Sequence, residues 1–570
     1  MDFDPDRRNF LAAACAVAAG LCLPRGAQAA APPRTPLSRP LEQLRSQYST
    51  LVIGSGYGGS VMAARLAGGG PLALFERGRE WLPQDFPDTG GAVVRELRSD
   101  AAPLGLFDYR SGSDLDALVG NGLGGTSLIN ANVVIAPDRD VFGAWPAAIR
   151  DAYQSGAMDV HEQRVRAMLA VETAGASLRK QQMHASTTAR RRRAGASVDF
   201  RRLDLAVNLS RYAGTANAEG VVQTSCRLCG DCVSGCRTGA KNTLDVNYLR
   251  AAARGGAEIY TRIEVGFVER AGGLWRVHYV ARPAGAPPRR GSVLAARVVV
   301  AAGALGSSQI LLRSAAMGLV LPAALGTRVS ANGDFLGLGY NSAVQTDTVG
   351  FGEGSPRFDQ RQVGPTITGA AQYAAAHPAQ RFLIEEGAWP RALADALRVL
   401  MPATASAPDV PAGQRELRDI AGLRANGALN HSMVYLGIGH DSAGGRIALD
   451  ATGQARIRWP GLPAEPFVAR MREEMRRHAA EFGASLVESP RAHPVFGAAL
   501  TTVHPLGGCP MGADAGSGVV DADGRVFDPR GGVHAGLYVT DGAVIPASLG
   551  VNPLLTIAAL AERMAARMTA

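Results

Sequence analysis

The 570-residue chain is 46% hydrophobic and 19% charged, which allows one large core or about two to three smaller ones and excludes a disordered protein. Its 69 glycines favour a fold with many tight turns over a helical bundle, because glycine destabilises helix interiors. The net charge of +9 is spread along the chain apart from a basic run at 189–202. We interpret this run as a solvated face and expect no nucleic-acid partner, since no nucleic-acid-binding motif lies beside it.

The first 29 residues have the pattern of an export signal. Arg7 and Arg8 stand directly before a short apolar stretch at 11–23, and a small-residue cleavage site ends at Ala29. Paired arginines before an alanine-rich stretch predict a signal of the twin-arginine type for residues 1–29, with an ordinary secretory signal as the alternative. We therefore expect an exported protein, periplasmic or secreted. No later run of about 18 apolar residues occurs, so we expect no transmembrane segment in the mature chain.

A dinucleotide-binding pattern follows. An apolar strand at 51–53 leads directly into Gly54-x-Gly56-x-x-Gly59, a helical stretch comes next, and a second strand ends at Glu76. The first glycine allows a tight turn, the second lets a pyrophosphate approach the backbone, and the third lets the helix pack on the strand. The pattern predicts a Rossmann-like nucleotide site, but it does not distinguish NAD from FAD.

Four later stretches carry the resemblance to a known family. They are LVGNGLGGTSLINANVV at 118–134, ARVVVAAGALGSSQILLRS at 296–314, TVHPLGGCPMG at 502–512 and GLYVTDGAVIPASLGVNPLL at 536–555. Together with the glycine pattern, these stretches resemble the glucose-methanol-choline (GMC) oxidoreductase family, and most of all its cholesterol-oxidase-like branch.

The resemblance implies an α/β fold with an α+β insert. A Rossmann-like FAD-binding domain is expected to be assembled from the discontinuous segments 46–150, 241–340 and 496–570. A sheet-containing substrate domain with a cysteine-rich insert is expected to take up 151–240 and 341–495.

The same resemblance implies which residues contact FAD. The glycine turn holds the diphosphate and Glu76 the adenosine ribose, while Val265 meets adenine through its backbone. The stretch after residue 120 runs along the flavin, Asp541 lies at the ribityl phosphate, and Pro553 lies by the flavin ring. The full set of implied cofactor residues is Gly54, Gly56, Tyr57, Gly58, Gly59, Glu76, Gly120, Gly124, Gly125, Ser127, Asn130, Val265, Gly303, Asp541, Gly542, Asn552 and Pro553.

Alcohol oxidation by a flavin requires a base for the hydroxyl proton and a path for hydride from carbon to flavin N5. His504 is the predicted base, because imidazole titrates near neutrality and Gly507-Gly508 permits close approach of the flavin ring. In the family, this histidine and the asparagine at the position of Asn552 sit together over the flavin. We therefore expect His504 and Asn552 to be catalytic, with Asn552 orienting the substrate oxygen. The expected substrate is a bulky alcohol oxidised at a CH–OH group, sterols among the candidates.

One stretch departs from the family pattern. Cholesterol oxidases that also isomerise the steroid carry an active-site glutamate before a strand, and the corresponding stretch here offers Leu429, Asn430 and His431. No carboxylate is available in that stretch, so we expect no isomerase activity. Because of this departure, the sequence does not decide whether the substrate is a sterol.

Four of the seven cysteines form the run Cys226-x2-Cys229-x2-Cys232-x3-Cys236. This is the spacing of a bacterial ferredoxin run, although the usual following proline is absent. The spacing permits three interpretations. The first is an iron–sulfur cluster held by three or four of these thiolates, with Cys509 as one option for a distant partner. The second is a closed zinc site, and the third is two disulfides, which the short loops disfavour.

The electron acceptor stays open between oxygen, a quinone and a cytochrome. A cluster at the cysteines favours a dehydrogenase. Without a cluster, an oxidase that uses oxygen agrees with the sequence as well as a dehydrogenase does. The alternative function is a flavin and iron–sulfur electron-transfer protein that oxidises no alcohol itself. A NAD-dependent dehydrogenase is disfavoured by the VTDG and VNP stretches at 539–542 and 551–553.

Overall fold

The computed structural model describes residues 34–175, 177–352, 362–404, 410–421, 426–489 and 499–569. The predicted export signal at 1–29 lies outside these residues. Within them, no helix is both long and apolar enough to cross a membrane.

The secondary structure of the described residues contains 11 α-helices and 23 strands. The helices are α1 (Tyr57–Leu66), α2 (Gly90–Arg95), α3 (Ala147–Gln154), α4 (Asp159–Met168), α5 (Arg179–Arg193), α6 (Tyr248–Arg254), α7 (Gly303–Ala316), α8 (Arg391–Thr404), α9 (Val410–Ile420), α10 (Pro466–Ala480) and α11 (Leu554–Thr569). The strands are β1 (Gln47–Ile53), β2 (Leu72–Phe75), β3 (Phe107–Arg110), β4 (Leu115–Gly120), β5 (Glu172–Thr173), β6 (Val198–Arg202), β7 (Asp204–Leu205), β8 (Thr215–Ala216), β9 (Val222–Gln223), β10 (Glu258–Tyr260), β11 (Ile263–Ala271), β12 (Leu274–Ala281), β13 (Arg289–Val300), β14 (Phe335–Tyr340), β15 (Gly369–Tyr373), β16 (Phe382–Gly387), β17 (Met433–Ile438), β18 (Arg446–Leu449), β19 (Ala455–Arg458), β20 (Ser485–Glu488), β21 (Leu500–Thr502), β22 (Arg525–Phe527) and β23 (Val533–Val539).

The first large sheet has eight strands. Its main path is β10-β2-β1-β13-β12-β11, and β23 and β22 extend it from β13. The pairs among β10, β2, β1, β13 and β23 are parallel, whereas β11, β12 and the first half of β13 pair antiparallel. The stretches 51–53 and 298–300 are buried apolar runs, as expected for parallel strands covered on both faces.

The register of this sheet brings the carboxyl ends of four parallel strands to one edge. Ile53 of β1 pairs with Phe75 of β2 and with Val300 of β13, and Val300 pairs with Val539 of β23. The residues that follow these strands therefore lie side by side. Open parallel sheets bind ligands at this edge.

Helices cover the first sheet and show which segments belong with it. Helix α1 packs against α6 and α11, and α4 packs against α11. Helix α4 lies within 151–240, the segment predicted to belong to the substrate domain. Its packing places it with the nucleotide-binding half instead, because its partner α11 is the C-terminal helix of that half.

The second large sheet is antiparallel and forms the other half of the molecule. Its strand order is β20-β14-β17-β16-β15-β6, and helices α5 and α10 pack on it. Strand β14 pairs only with β17 and β20 among the described strands, so the domain boundary belongs before Phe335 rather than after residue 340 as predicted. The predicted α/β fold with a sheet-containing insert is confirmed.

Candidate active site

A cavity of about 960 Å³ lies between the carboxyl edge of the first sheet and the face of the second. Most of the predicted cofactor and catalytic residues line it. They are Gly54, Gly56, Tyr57, Gly58, Glu76, Gly120, Gly125, Asn130, Val265, Gly303, His504, Asp541, Gly542, Asn552 and Pro553. Three predicted cofactor residues, Gly59, Gly124 and Ser127, do not line the cavity.

The turn between β1 and α1 leaves backbone N–H groups open to the cavity. Gly54 has a φ of +98°, and a Cβ there would lie 2.3 Å from the carbonyl oxygen of Ala301, so only glycine fits. Gly56 caps α1 in extended conformation, and a Cβ on it would meet no atom within 4 Å. The first N–H groups of a helix lack intrahelical partners and attract anions, so this end of the cavity suits a diphosphate.

Two carboxylates fix the shape of the same edge. Glu76 accepts hydrogen bonds from the Ser55 hydroxyl at 2.6 Å and from the Gly78 N–H at 2.8 Å. Asp541 accepts from the Gly303 N–H at 2.7 Å and from the Ser307 hydroxyl at 2.6 Å. Burial raises the pKa of Asp541, while these hydrogen bonds favour its charged form. Asp541 therefore joins the end of β23 to the start of α7, in addition to lining the cavity.

His504 is held by a carboxylate that the sequence analysis did not identify. Its Nδ1 lies 2.9 Å from Asp334 Oδ1, and Asp334 is fully buried. The other carboxylate oxygen accepts from the Thr502 hydroxyl at 2.8 Å and from the Val503 N–H at 2.9 Å. With its proton on Nδ1, the neutral ring presents Nε2 as the proton acceptor. Burial lowers the pKa of His504, but the Asp334 charge and hydrogen bond and the nearby Glu385 outweigh it, so the pKa is raised.

A second carboxylate stands beside Asn552. Strand β16 carries Glu385 and Glu386, which point to opposite faces because side chains alternate along a strand. Glu386 bonds Lys180 on one side, whereas Glu385 Oε2 accepts from Asn552 Nδ2 at 3.3 Å. Burial raises the pKa of Glu385 to about 8, against the opposing effects of Asn552 and His504.

A carboxyl group thus stands beside Asn552 although none is available at 429–431. Leu429, Asn430 and His431 do not line the cavity. Leu429 packs in a separate apolar cluster, and the His431 Nδ1 contacts the carbonyl oxygen of Ser342 at 3.1 Å. The carboxylate of the site comes instead from β16, earlier in the chain. Two adjacent acids in the otherwise apolar stretch FLIEEG were the signal for it.

Much of the cavity wall beside the second sheet is apolar, although Thr366 and Ser489 also line it. Trp389, Leu393 and Leu397 come from α8 and the turn before it, and Val434 and Leu436 come from β17. Apart from the indole N–H of Trp389, these side chains offer no polar group to a ligand. This part of the cavity suits an apolar molecule.

Comparisons with known proteins agree with this geometry. The N-terminal and C-terminal models of the GMC oxidoreductase family match residues 48–322 and 442–561. The chain belongs to this family. It is 30% identical to a cholesterol oxidase of Mycobacterium tuberculosis over 92% of this chain and 91% of that protein. It is 26% identical to a cholesterol oxidase of Acinetobacter baumannii over 90% of this chain and 93% of that protein.

A solved structure shares the fold. The crystal structure of pyridoxine 4-oxidase from Mesorbium loti aligns with a TM-score of 0.57 and 16% identity, covering 91% of this chain and 99% of that one. The family membership and the oxidase relatives make this GMC oxidoreductase an FAD-dependent enzyme that acts on alcohols.

The residues of this GMC oxidoreductase fit an FAD. Four buried side-chain atoms in the cavity wall have no hydrogen-bond partner among the described residues: Asn130 Oδ1, Asn132 Nδ2, Trp389 Nε1 and Asn552 Oδ1. Buried polar atoms are nearly always satisfied, so these atoms indicate a polar ligand. With the diphosphate end at Gly56, they mark both ends of a site large enough for a dinucleotide.

The cysteine run lines a second, small cavity of about 30 Å³. None of the five described cysteines forms a disulfide. Burial raises the pKa of the Cys226 and Cys229 thiols. Cys509 does not line this cavity, and its sulfur lies 3.7 Å from the Ser308 hydroxyl, so the option of Cys509 as a distant partner gains no support. Among the described residues no group of three or more His, Cys, Asp or Glu side chains is arranged to hold a metal ion, so this finding supports neither the zinc nor the iron–sulfur interpretation.

Proposed function

We propose that this GMC oxidoreductase oxidises a CH–OH group of a bulky apolar alcohol, with His504 as the base that takes the hydroxyl proton. Bound FAD supplies the hydride acceptor, flavin N5. The observation that carries the proposal is the 2.9 Å hydrogen bond between Asp334 and His504, whose side chain lines the cavity that also contains the diphosphate turn. Sterols are the leading substrate class, because both cholesterol oxidase relatives span nearly the whole chain.

Asp334 prepares His504 for proton transfer. Because Nδ1 of the ring donates to Asp334, Nε2 carries the lone pair that accepts the hydroxyl proton. The imidazolium that forms is stabilised by the buried carboxylate beside it. Thr502 and Val503 keep that carboxylate in place through their hydrogen bonds to its other oxygen. The carboxylate thus fixes both the orientation and the basicity of the ring.

Asn552 and Glu385 position the substrate oxygen. One N–H of the Asn552 amide donates to Glu385, so its second N–H is available to the substrate. Glu385 is protonated at neutral pH, since burial raises its pKa to about 8. A neutral carboxyl group does not repel the negative charge that develops on the oxygen as the proton leaves.

The test compares two histidine variants of the flavin-loaded enzyme. His504→Ala is expected to abolish anaerobic bleaching of the flavin by alcohol while leaving its chemical reduction by dithionite intact. His278→Ala is the matched control, because His278 lies on β12 and pairs with Glu269 at 2.9 Å, away from the cavity. Undiminished bleaching in His504→Ala contradicts the proposal. No bleaching of the wild-type protein by any bulky alcohol favours the electron-transfer alternative.

We also propose that the protein is exported, on the signal predicted at 1–29. Replacing Arg7 and Arg8 together by lysine is expected to retain the protein in the cytoplasm with its flavin bound. Fractionation of cells that express the wild-type and variant chains measures this. Equal distribution of both chains contradicts a twin-arginine route.

A further inference from the structure

Four thiols meet in one small cavity beside the FAD cavity. We call it the tetracysteine cavity, and Cys226, Cys229, Cys232 and Cys236 all line it. Every pair among these four thiols is close enough to interact electrostatically. Thiols that merely pack as small apolar groups have no need to converge in this way, so the convergence indicates a shared ligand.

The loop backbone is shaped to produce this convergence. Leu228, Gly230 and Gly235 have φ values of +56°, +84° and +103°, and a left-handed conformation is costly for leucine. The Leu228 N–H donates to Cys226 Sγ at 3.4 Å. The Thr366 hydroxyl donates to the Gly230 carbonyl at 3.1 Å and ties the loop to the second half of the protein. N–H groups directed at cysteine sulfur are among the features that tune bound iron–sulfur clusters.

A buried positive charge stands in the wall of the tetracysteine cavity. The Lys241 ammonium group is fully buried and donates to three backbone carbonyls, those of Leu128 at 3.0 Å, Asn130 at 2.7 Å and Cys232 at 3.0 Å. These acceptors are neutral, so its contacts solvate the charge without neutralising it. A thiolate-ligated metal centre of net negative charge in the cavity offsets a buried ammonium ion.

The geometry points to a multinuclear centre. A single tetrahedral ion draws its sulfur ligands to about 2.3 Å from one point, and the described residues hold no group arranged for that. An iron–sulfur cluster spreads its ligands over several irons and therefore needs thiols that surround a wider space. In two-cluster ferredoxins the first three cysteines of this spacing ligate one cluster and the fourth ligates the other. Here all four cysteines line the same cavity, so all four are available to one cluster.

We propose that the tetracysteine cavity binds a [4Fe–4S] cluster ligated by Cys226, Cys229, Cys232 and Cys236. On assembly each thiol releases one proton, and each thiolate forms one bond to one iron, with inorganic sulfide bridging the irons. The iron and sulfide are supplied from outside the chain.

The cluster lies where it can receive electrons released by alcohol oxidation, a role that rests on the proposed function. Ser234 lines both the tetracysteine cavity and the FAD cavity. Lys241 also holds the carbonyl of Asn130, whose side chain lines the FAD cavity. Oxidation of one alcohol releases two electrons, and a cluster carries one at a time. Two successive reductions of the cluster, each followed by reoxidation by a one-electron acceptor such as a ferric haem protein, balance the reaction.

The first test is the composition of the full chain purified without oxygen. We expect about four irons and about four acid-labile sulfides per chain, and an electron paramagnetic resonance signal from the cluster after anaerobic reduction with dithionite. Stoichiometric zinc without iron overturns the proposal. Two disulfides in the oxygen-free, flavin-loaded protein overturn it as well.

The second test compares cysteine variants. Cys232→Ser is expected to lose most of the iron while retaining the flavin. Cys509→Ser is the matched control, since Cys509 is also buried but lies outside the tetracysteine cavity, and it is expected to retain the iron. Equal iron in the two variants contradicts the assignment of ligands. If Cys232→Ser does not fold, Cys226→Ser at a less buried position gives the same comparison.

The cluster and the alcohol chemistry fail separately. Iron and sulfide in a protein whose flavin no alcohol bleaches would leave the cluster standing and refute the proposed function. Bleaching by an alcohol in a protein without iron or sulfide would support the proposed function and refute the cluster.

Discussion

Replacing Asp334 by asparagine tests the pairing on which the proposed chemistry depends. The substitution keeps the size of the side chain but removes the charge that lies 2.9 Å from His504 Nδ1. The new amide can also donate to Nδ1, which would move the ring proton to Nε2 and block proton acceptance there. The variant thus weakens His504 as a base in two ways, through its pKa and through its tautomer.

The size of the effect follows from the burial of the pair. An opposite charge this close to a buried group changes a pKa by about 1–3 units, and each unit corresponds to about 1.4 kcal/mol. Asp334 is fully buried and the His504 side chain is 14% exposed, so screening by water is weak. We expect alcohol-driven flavin reduction to slow by about 10²-fold or more, within the roughly 10²–10⁴-fold that general base catalysis supplies.

The assay is stopped-flow reduction of the flavin by alcohol without oxygen, measured across pH. His504 must be neutral to accept a proton, so the rate rises as pH passes upward through its pKa. That pKa is raised in the wild-type protein, so its rise is centred above about pH 6.5. In Asp334→Asn the rise shifts to lower pH. Thr502→Val removes a hydrogen bond from Asp334 without removing its charge and should leave the pH profile nearly unchanged. An unshifted profile in Asp334→Asn refutes the reasoning.

Three further predictions follow from the same geometry. Gly54→Ala should abolish flavin binding, because its Cβ would lie 2.3 Å from a carbonyl oxygen. Gly68→Ala is the control and should keep the flavin, since Gly68 also has a positive φ, +88°, but faces open space. Flavin absorbance after purification measures both. Burial raises the pKa of Glu385 to about 8, so the stability of the wild-type protein should fall as pH rises from about 4.3 to 8. Glu385→Gln should flatten this dependence, measured as melting temperatures at about pH 5 and pH 8. Equal pH dependence in the two proteins contradicts the prediction. Asn552→Ala should slow flavin reduction by about 10²-fold through loss of an oriented donor, and an unchanged rate would remove Asn552 from the site.

The nucleotide site was predictable because its determinants are contiguous. An apolar strand, a glycine turn and a helix follow one another from 51 to 66, and each acts on its immediate neighbours through backbone conformation. The domain boundaries were less predictable. Strand β14 joins the second sheet only because its hydrogen-bond partners, β17 and β20, lie far along the chain, and no local signal before Phe335 announces that pairing.

The catalytic constellation was only half predictable. His504 and Asn552 stand in recognisable stretches, but Asp334 lies 170 residues from His504, and Glu385 lies 167 residues from Asn552. Neither carboxylate belongs to a motif. Their roles arise from burial, since the fold removes both from water and leaves one histidine and one amide among their nearest polar neighbours.

The sequence by itself determined the glycine turn, the spacing of the four cysteines, and the histidine and asparagine near the C-terminus, because each depends on residues close together in the chain. Only the tertiary structure decided that two distant carboxylates join the histidine and the asparagine, that Cys509 stays apart, and that four thiols converge beside a buried lysine. The physical reason is that local order sets backbone conformation, whereas charge, protonation and ligand geometry depend on groups that become neighbours only when two sheets close around a cavity.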